Sequence, residues 1–199
     1  HVRTVGQLPD VQADPDARAA TERLVRELTA LHGEKLPERK QGVPDAYFAI
    51  NRVLEERLGA ATVSWLRTGL SRNDLDMTVY KLAARSRNLE LQAAIQRLRR
   101  AILEQAERHA DTILIAHTHH QPGQPTSVAH YLLGIHALLT RDEQRVQAAY
   151  TRLNTSPLGA AALAGSSHPL DRHYSASLLG FEAPTDNTLD AVSASDWQV

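Results

Sequence analysis

The feature that most constrains this chain is a long stretch, from Leu70 to Gln121, that contains neither glycine nor proline. Apolar side chains recur along one side of it, at Leu75, Val79, Leu82, Leu91, Ile95, Leu98 and Ile102. This spacing is typical of one face of an α-helix, and about 35 residues at 1.5 Å each give a rod of roughly 50 Å. Because one helix cannot cover its own apolar stripe, the stretch predicts a bundle of long helices.

Helical periodicity also appears before and after the rod. Residues 16–32 and 45–59 carry apolar stripes bounded by glycine, which predicts two shorter amphipathic helices. A second long helix is predicted from Thr126, with Thr126 or Ser127 as its cap, to about Leu153. No segment shows a convincing strand pattern.

The predicted fold class is therefore all-α, with two parts. Residues 1–67 form a small N-terminal helical domain, and residues 68–199 form the first, incomplete part of a long-helix bundle domain. Two long helices cannot bury two apolar stripes against each other alone. Other chains, or further segments of a longer protein, are expected to cover the rest.

The amino-acid composition limits which classes of molecule the chain is expected to bind. Hydrophobic residues make up 42% and charged residues 23%, and 22 basic against 23 acidic side chains leave a net charge of −1. This balance gives no electrostatic case for nucleic acid or an anionic membrane. The absence of cysteine excludes disulfides and thiolate metal sites. The beginning of the chain has no apolar core like that of a signal peptide, and a cytoplasmic location is expected.

The first candidate site is the segment "TGLSRNDLDM" at the start of the long helix. The hydroxyl of Ser71, the guanidinium of Arg72 and the carboxamide of Asn73 meet the exposed N–H groups of a helix N-terminus there. Such a set of donors suits a carboxylate or a phosphate. The simpler interpretation is that Ser71 or Asn73 only caps the helix, with Asp74 favouring its dipole.

The second candidate is a cluster of histidines, His117, His119, His120 and His130. In an extended backbone His117 and His119 would project the same way, and His120 the opposite way. A zinc site needs three or four converging ligands, and no HExxH pattern supports one here. Acid–base chemistry suits imidazole, which titrates near neutral pH. A structural role remains the alternative for each histidine.

Several motifs occur in an order that points to a known family. They are "TGLSRND" (68–74), "THHQPGQP" (118–125), "LTRDEQRV" followed by "RLNTSPLGAAALAG", "LDR" (170–172) and "NTLDAVSASDW" (187–197). Together they resemble argininosuccinate lyase and the wider fumarase/aspartase superfamily, over roughly residues 45–199. The joint spacing is far more specific than any single motif.

This resemblance implies a β-elimination that cleaves a C–N bond in a succinyl-type substrate and releases fumarate. A base removes a proton beside a carboxylate, so preplaced donors must hold the negative charge that accumulates there. An acid must protonate the departing nitrogen. The implied partner is a small dicarboxylate substrate, and no cofactor or metal is implied.

Site residues follow by matching single positions to the family's motifs. His119 matches the histidine that the family assigns to acid–base work near the leaving group. The positions that match substrate-binding residues are Ser71, Arg72, Asn73, Thr118 and Gln121. His117 and His120 stand where the family requires no histidine.

The sequence also departs from the family pattern. Leu75, Ser195 and Trp197 replace the usual glutamine, arginine and phenylalanine, so a different N-substituted aspartate is an alternative substrate. The family's GSSxMPxKxN loop, which carries the serine proposed as base, would lie beyond Val199.

The family assembles homotetramers around a helical core, with active sites that draw on three subunits. The resemblance therefore implies the N-terminal portion of such a lyase, inactive in isolation. The rival hypothesis is a non-catalytic relative that assembles or regulates, and a metal-binding helical bundle is a third.

Overall fold

A computed structural model describes residues 1–32, 34 and 46–195, and helices dominate that part of the chain. The helices are α1 (Val2–Val5), α2 (Pro9–Ala13), α3 (Pro15–Leu31), α4 (Ala46–Leu58), α5 (Ala60–Ser64), α6 (Arg72–Arg108), α7 (Val128–Leu153), α8 (Arg172–Leu178) and α9 (Thr188–Ser193), with a 3₁₀ turn at Trp65–Arg67. The strands are β1 (Ile113–Thr118), β2 (Gln121–Ser127), β3 (Thr155–Ser156) and β4 (Ala183–Pro184). The predicted all-α class is confirmed.

The two long helices form where periodicity predicted them. Helix α6 has 37 residues, which corresponds to a length of about 55 Å. Helix α7 has 26 residues and starts directly after Ser127, whose Oγ accepts a hydrogen bond of 3.1 Å from the backbone N–H of His130. Of the two predicted caps, Thr126 and Ser127, the structure therefore uses Ser127.

The expectation that the chain has no strands was wrong in two regions: β3 and β4 form a two-residue parallel pair, and a longer pair lies between α6 and α7. Strands β1 and β2 pair antiparallel as a hairpin, with an irregular register between Ile115 and His117. Pro122 and Pro125 lie within β2, opposite His117 and Ile115. Proline lacks the backbone N–H that bonds to a neighbouring strand, so within sheets it is found mainly in edge strands. Both strands of a two-stranded hairpin are edge strands, which is why prolines are tolerated here.

Two compact units make up the described chain, and each has its own packing. The first comprises residues 1–81 and 154–194. Its main core contains Val2, Leu24, Leu31, Leu54, Val63 and Leu66. A smaller cluster contains Val5, Leu8, Val11 and Ala17. Leu24 and Leu31 belong to the apolar stripe predicted for α3, so that helix buries the face that its sequence indicates.

Residues 82–153 belong to the second unit. Polar side chains link its two helical segments: Asn88 Nδ2 donates to the Val146 carbonyl at 3.0 Å, and Gln96 Nε2 donates to Glu143 Oε1 at 2.9 Å. Many of its large apolar side chains remain exposed, namely Leu89, Leu91, Leu98, Leu103, Tyr131, Leu133, Ile135 and Leu138. The predicted domain boundary after residue 67 stays a prediction.

No helix in the described ranges combines the length and apolarity of a membrane span.

Candidate functional site

Two side-chain hydrogen bonds close the turn that leads into α6. Ser71 Oγ accepts from the backbone N–H of Asn73 at 3.2 Å, and Asp74 Oδ1 accepts from the backbone N–H of Ser71 at 2.9 Å. This is a variant of the capping box, with aspartate in the place of glutamate and with the serine bonded to the second helical N–H instead of the third. Ser71 is therefore a helix cap, as the simpler interpretation predicted. Because its oxygen is the acceptor in that bond, its hydroxyl proton can still be donated outward.

Arg72 and Asn73 differ in how firmly they are held. The Arg72 guanidinium lies 5.5 Å from the centre of the Phe48 ring and 3.8 Å from the Asp76 carboxylate. Its side chain is 45% exposed, so water or an anion can still reach it. Asn73 Nδ2 donates to the Ala162 carbonyl at 2.9 Å, which ties the turn to a distant loop.

Asp74 lies at the centre of this arrangement and is fully buried. Its Oδ2 accepts from the backbone N–H groups of Gly159 at 2.9 Å and Ala161 at 3.0 Å. Burial raises the pKa of the Asp74 carboxyl because it disfavours the charged form, and the backbone N–H donors oppose that rise. Sequence reasoning assigned Asp74 only to the helix dipole. An acid three residues after a serine indicates a capping box, but nothing local indicates the loop partners.

The loop that meets Asp74 is shaped by left-handed backbone conformations. Gly159 has φ +89°, Ala161 +54° and Gly165 +78°. A Cβ on Gly159 would lie 2.9 Å from Arg172 Cγ, so only glycine fits against that side chain. Arg172 in turn donates to the Thr185 carbonyl at 2.8 Å. The loop is therefore fixed from two sides, by Asp74 and by Arg172.

The second candidate site is the tip of the β1–β2 hairpin. Thr118 pairs with Gln121 across the two strands, and His119 and His120 form the two-residue turn, with φ +48° and +62°. Positive φ at both central residues is the requirement of a type I′ turn, which usually uses asparagine and glycine. Thr118, His119, His120 and Gln121 are all exposed.

This turn corrects the expected direction of the histidines. The expectation that His117 and His119 share a face required extended backbone at His119, and His119 is instead left-handed. The His117 Nδ1 atom lies 2.9 Å from the Ile115 carbonyl oxygen, and His130 Nδ1 lies 2.9 Å from Thr126 Oγ1. Among the residues that the structure describes, no three histidine, aspartate or glutamate side chains could hold a metal ion.

The predicted site residues therefore form two local groups. Ser71, Arg72 and Asn73 lie together in the first compact unit, and Thr118, His119 and Gln121 lie together in the second. The first group lies in the turn at the start of α6, and the second lies at the tip of the β1–β2 hairpin. The roles assigned to these residues stay predictions.

Comparisons with known proteins agree on one family. A family model described as "Lyase" matches residues 12–199. An argininosuccinate lyase of Chromohalobacter salexigens is 43% identical over 155 residues, which cover 78% of this chain and 33% of that protein. The argininosuccinate lyase of Geobacillus thermodenitrificans is 39% identical over 197 residues, with 99% and 42% covered.

Solved structures support the same grouping. The chain superposes on an EDDS lyase variant with bound fumarate at a TM-score of 0.81 and 27% identity, covering 99% of this chain and 38% of that one. The chain thus spans between 33% and 42% of the length of these relatives.

Proposed function

This chain belongs to the lyase family matched by its residues 12–199, and we propose that it supplies part of an enzyme that eliminates fumarate from an N-succinyl amino compound. Argininosuccinate is the first candidate substrate, because the curated relatives at about 40% identity are argininosuccinate lyases. The observation that carries the proposal is the turn at Ser71–Asn73, which presents three different donors at the start of a 37-residue helix.

These donors suit the charge that the reaction develops. When a proton is removed from the carbon beside a carboxylate, the electron pair left behind is delocalised onto that carboxylate. Its oxygens therefore gain negative charge in the transition state. The Ser71 hydroxyl, the Arg72 guanidinium and the second N–H of the Asn73 carboxamide can donate to those oxygens, supported by the positive end of the α6 dipole. Because the turn is already fixed by its capping box, little reorganisation is needed when the substrate binds.

His119 is proposed as the general acid that protonates the leaving nitrogen. Its imidazole is exposed at the hairpin tip, where it can reach a substrate, and imidazole can carry a proton near neutral pH. Thr118 and Gln121 flank it as a cross-strand pair and are proposed to bind the substrate on either side. No residue of this chain is assigned as the base.

The proposed enzyme is a homo-oligomer, a tetramer in the form that the family resemblance implies, located in the cytoplasm. The exposed leucines of α6 and α7 are proposed to pack against the same helices of other copies. Active sites would then draw on turns from more than one copy of the chain.

The test uses the complete gene product with argininosuccinate and other N-succinyl amines, and it follows fumarate by its ultraviolet absorbance. His119→Asn is expected to lower kcat by about 10²–10⁴-fold, the usual contribution of a general acid. Asparagine tolerates positive φ, so the turn is kept while the imidazole is lost.

The matched control is His120→Asn, which makes the same exchange at the other turn position. It should retain most of the activity. Equal losses in the two variants would assign the effect to the turn and remove His119 from the chemistry, and a wild-type protein that releases no fumarate from any candidate would favour the non-catalytic hypothesis.

A further inference from the structure

One buried carboxylate joins two segments that are far apart in sequence. Asp74 accepts from the backbone N–H of Ser71 through Oδ1 and from those of Gly159 and Ala161 through Oδ2. The three distances lie between 2.9 and 3.0 Å, and the side chain has no exposed surface. Both oxygens therefore accept from the backbone, and the buried carboxylate has no surface to offer a substrate.

Only a carboxylate can make this connection. It offers acceptors on both oxygens, whereas the isosteric carboxamide of asparagine replaces one oxygen with an NH₂ donor. That donor would face a backbone N–H on one side or the other and leave it unsatisfied in the interior, which costs the full desolvation penalty of that group. An Asp74→Asn variant would therefore keep the volume of the side chain and break one half of the connection.

The loop that Asp74 contacts is also held by other residues. Arg172 packs so closely against Gly159 that an added Cβ would lie 2.9 Å from Arg172 Cγ. The donor turn, Ser71–Asn73, has a second link to the same loop, since Asn73 donates to the Ala162 carbonyl. The hydroxyl of Thr78 donates to the Asp74 carbonyl at 2.6 Å, so the backbone of Asp74 is bonded within the helix as well.

We infer that Asp74 is a positioning residue: through the backbone amides of Ser71, Gly159 and Ala161 it holds the donor turn Ser71–Asn73 against the loop at 157–165, in the geometry that binds the substrate carboxylate. This inference rests on the proposed function for its consequence in catalysis. The juxtaposition itself is a property of the first compact unit alone.

The experiment compares Asp74→Asn with Asp14→Asn in the complete enzyme. Asp14 is an exposed helix cap on α3 that accepts from the Asp16 N–H at 2.9 Å, and asparagine caps helices about as well as aspartate. Asp74→Asn should raise the KM for substrate, and the inhibition constant of succinate, by about tenfold or more, with a smaller fall in kcat. Asp14→Asn should leave all three unchanged.

The different effects on KM and on kcat distinguish a positioning role from a folding defect. A variant that only folds less completely loses active molecules, so its apparent kcat falls while KM and the inhibition constant of succinate stay at the wild-type values. That outcome, or wild-type kinetics throughout, would overturn the inference. If Asp74→Asn does not fold, Gly159→Ala displaces one of the same N–H donors from the loop side and should raise KM in the same way; an unchanged KM there would overturn it equally.

A second measurement does not depend on activity. Hydrogen exchange should become faster in Asp74→Asn both at residues 71–75 and at residues 157–165, and in Asp14→Asn at neither. Faster exchange in the first segment alone would mean that the carboxylate is only a helix cap, and would overturn the inference. A wild-type protein without lyase activity contradicts the proposed function, and the exchange result still decides the connection.

Discussion

At the scale of single residues, left-handed backbone conformations decide where the candidate groups lie. His119 and His120 both have positive φ, a conformation that costs most residues about 1–2 kcal/mol and that histidine tolerates better than most. Gly69 has φ +61° just before the donor turn. Such positions turn the chain sharply, so that Ser71 and His119 are each presented within a few residues of a regular element.

Gly69→Ala is expected to destabilise the protein. A Cβ there would lie 2.5 Å from Leu170 Cδ1 and 2.9 Å from Ser166 Oγ, and alanine disfavours this backbone conformation. The combined cost should lower the free energy of unfolding by about 1–3 kcal/mol, measured by urea denaturation.

Gly134→Ala is the matched control for this substitution. Gly134 lies inside α7 with no atom of this chain within 4 Å of the added Cβ, so in the isolated 199-residue chain alanine should stabilise the helix by about 0.5–1 kcal/mol. Two substitutions with effects of the same sign would contradict the assignment of strain to Gly69.

At the scale of elements, polar side chains connect the two long helices of the second unit. The Glu143 carboxylate of α7 accepts from Gln96 at 2.9 Å and is paired with Arg99 of α6. The hydrogen bond from Gln96, followed by the charges of Arg99 and His136, lowers the pKa of Glu143 below its ordinary range. The ionised carboxylate is therefore the form that holds the helices together.

The lowered pKa of Glu143 determines how the stability of the folded protein should change with pH. A carboxyl with a lowered pKa in the folded state contributes stability above its unfolded pKa of about 4.3, and that contribution is lost as the pH falls through the folded pKa. Glu143→Gln should therefore melt at a lower temperature than wild type at pH 7, with the difference shrinking below about pH 4.

Thermal melts of both proteins across this range provide the measurement, with Glu104→Gln as the control at an exposed position of α6. A difference between wild type and Glu143→Gln that stays constant down to pH 3 would mean that packing, and not charge, accounts for it.

At the scale of the whole molecule, the apolar faces of α6 and α7 stay partly uncovered by the residues that the structure describes. Leu91 and Leu98, both predicted as members of one apolar stripe, are each 50% exposed. Full burial of a leucine side chain contributes about 1.5–3 kcal/mol. A long helix with such a stripe is stable in water mainly when other helices cover it, which supports the proposed homo-oligomer.

Leu98→Glu is expected to shift the complete protein from its oligomer toward smaller species, because an unpaired carboxylate would be buried at the interface between copies. The mass in solution, from light scattering, is the measurement. Arg26→Glu on α3 changes the net charge by a larger amount at a well exposed site and should leave the mass unchanged. An unaltered mass for Leu98→Glu would exclude this face from the proposed assembly.

What the sequence alone determined was the part of the structure that depends on neighbours within one or two helical turns. The uninterrupted periodicity after Leu70 predicted α6, and each cap was narrowed to two candidates, Ser71 or Asn73 and Thr126 or Ser127. Both are local features, because a helix bonds residue i to residue i+4 and a cap bonds within three residues. The motifs also identified the family, since their order and spacing are properties of the chain itself.

Only the tertiary structure decided which distant backbone groups meet. Two partners of Asp74, the backbone N–H groups of Gly159 and Ala161, lie 85 and 87 residues further along the chain. Such contacts depend on how the whole chain closes, and no local property of Asp74 encodes them. The β1–β2 hairpin is a local structure, and it was missed because the prolines of β2 argue against a strand. The donor turn was predictable from sequence because its bonds are local, and the loop that holds it in place was not.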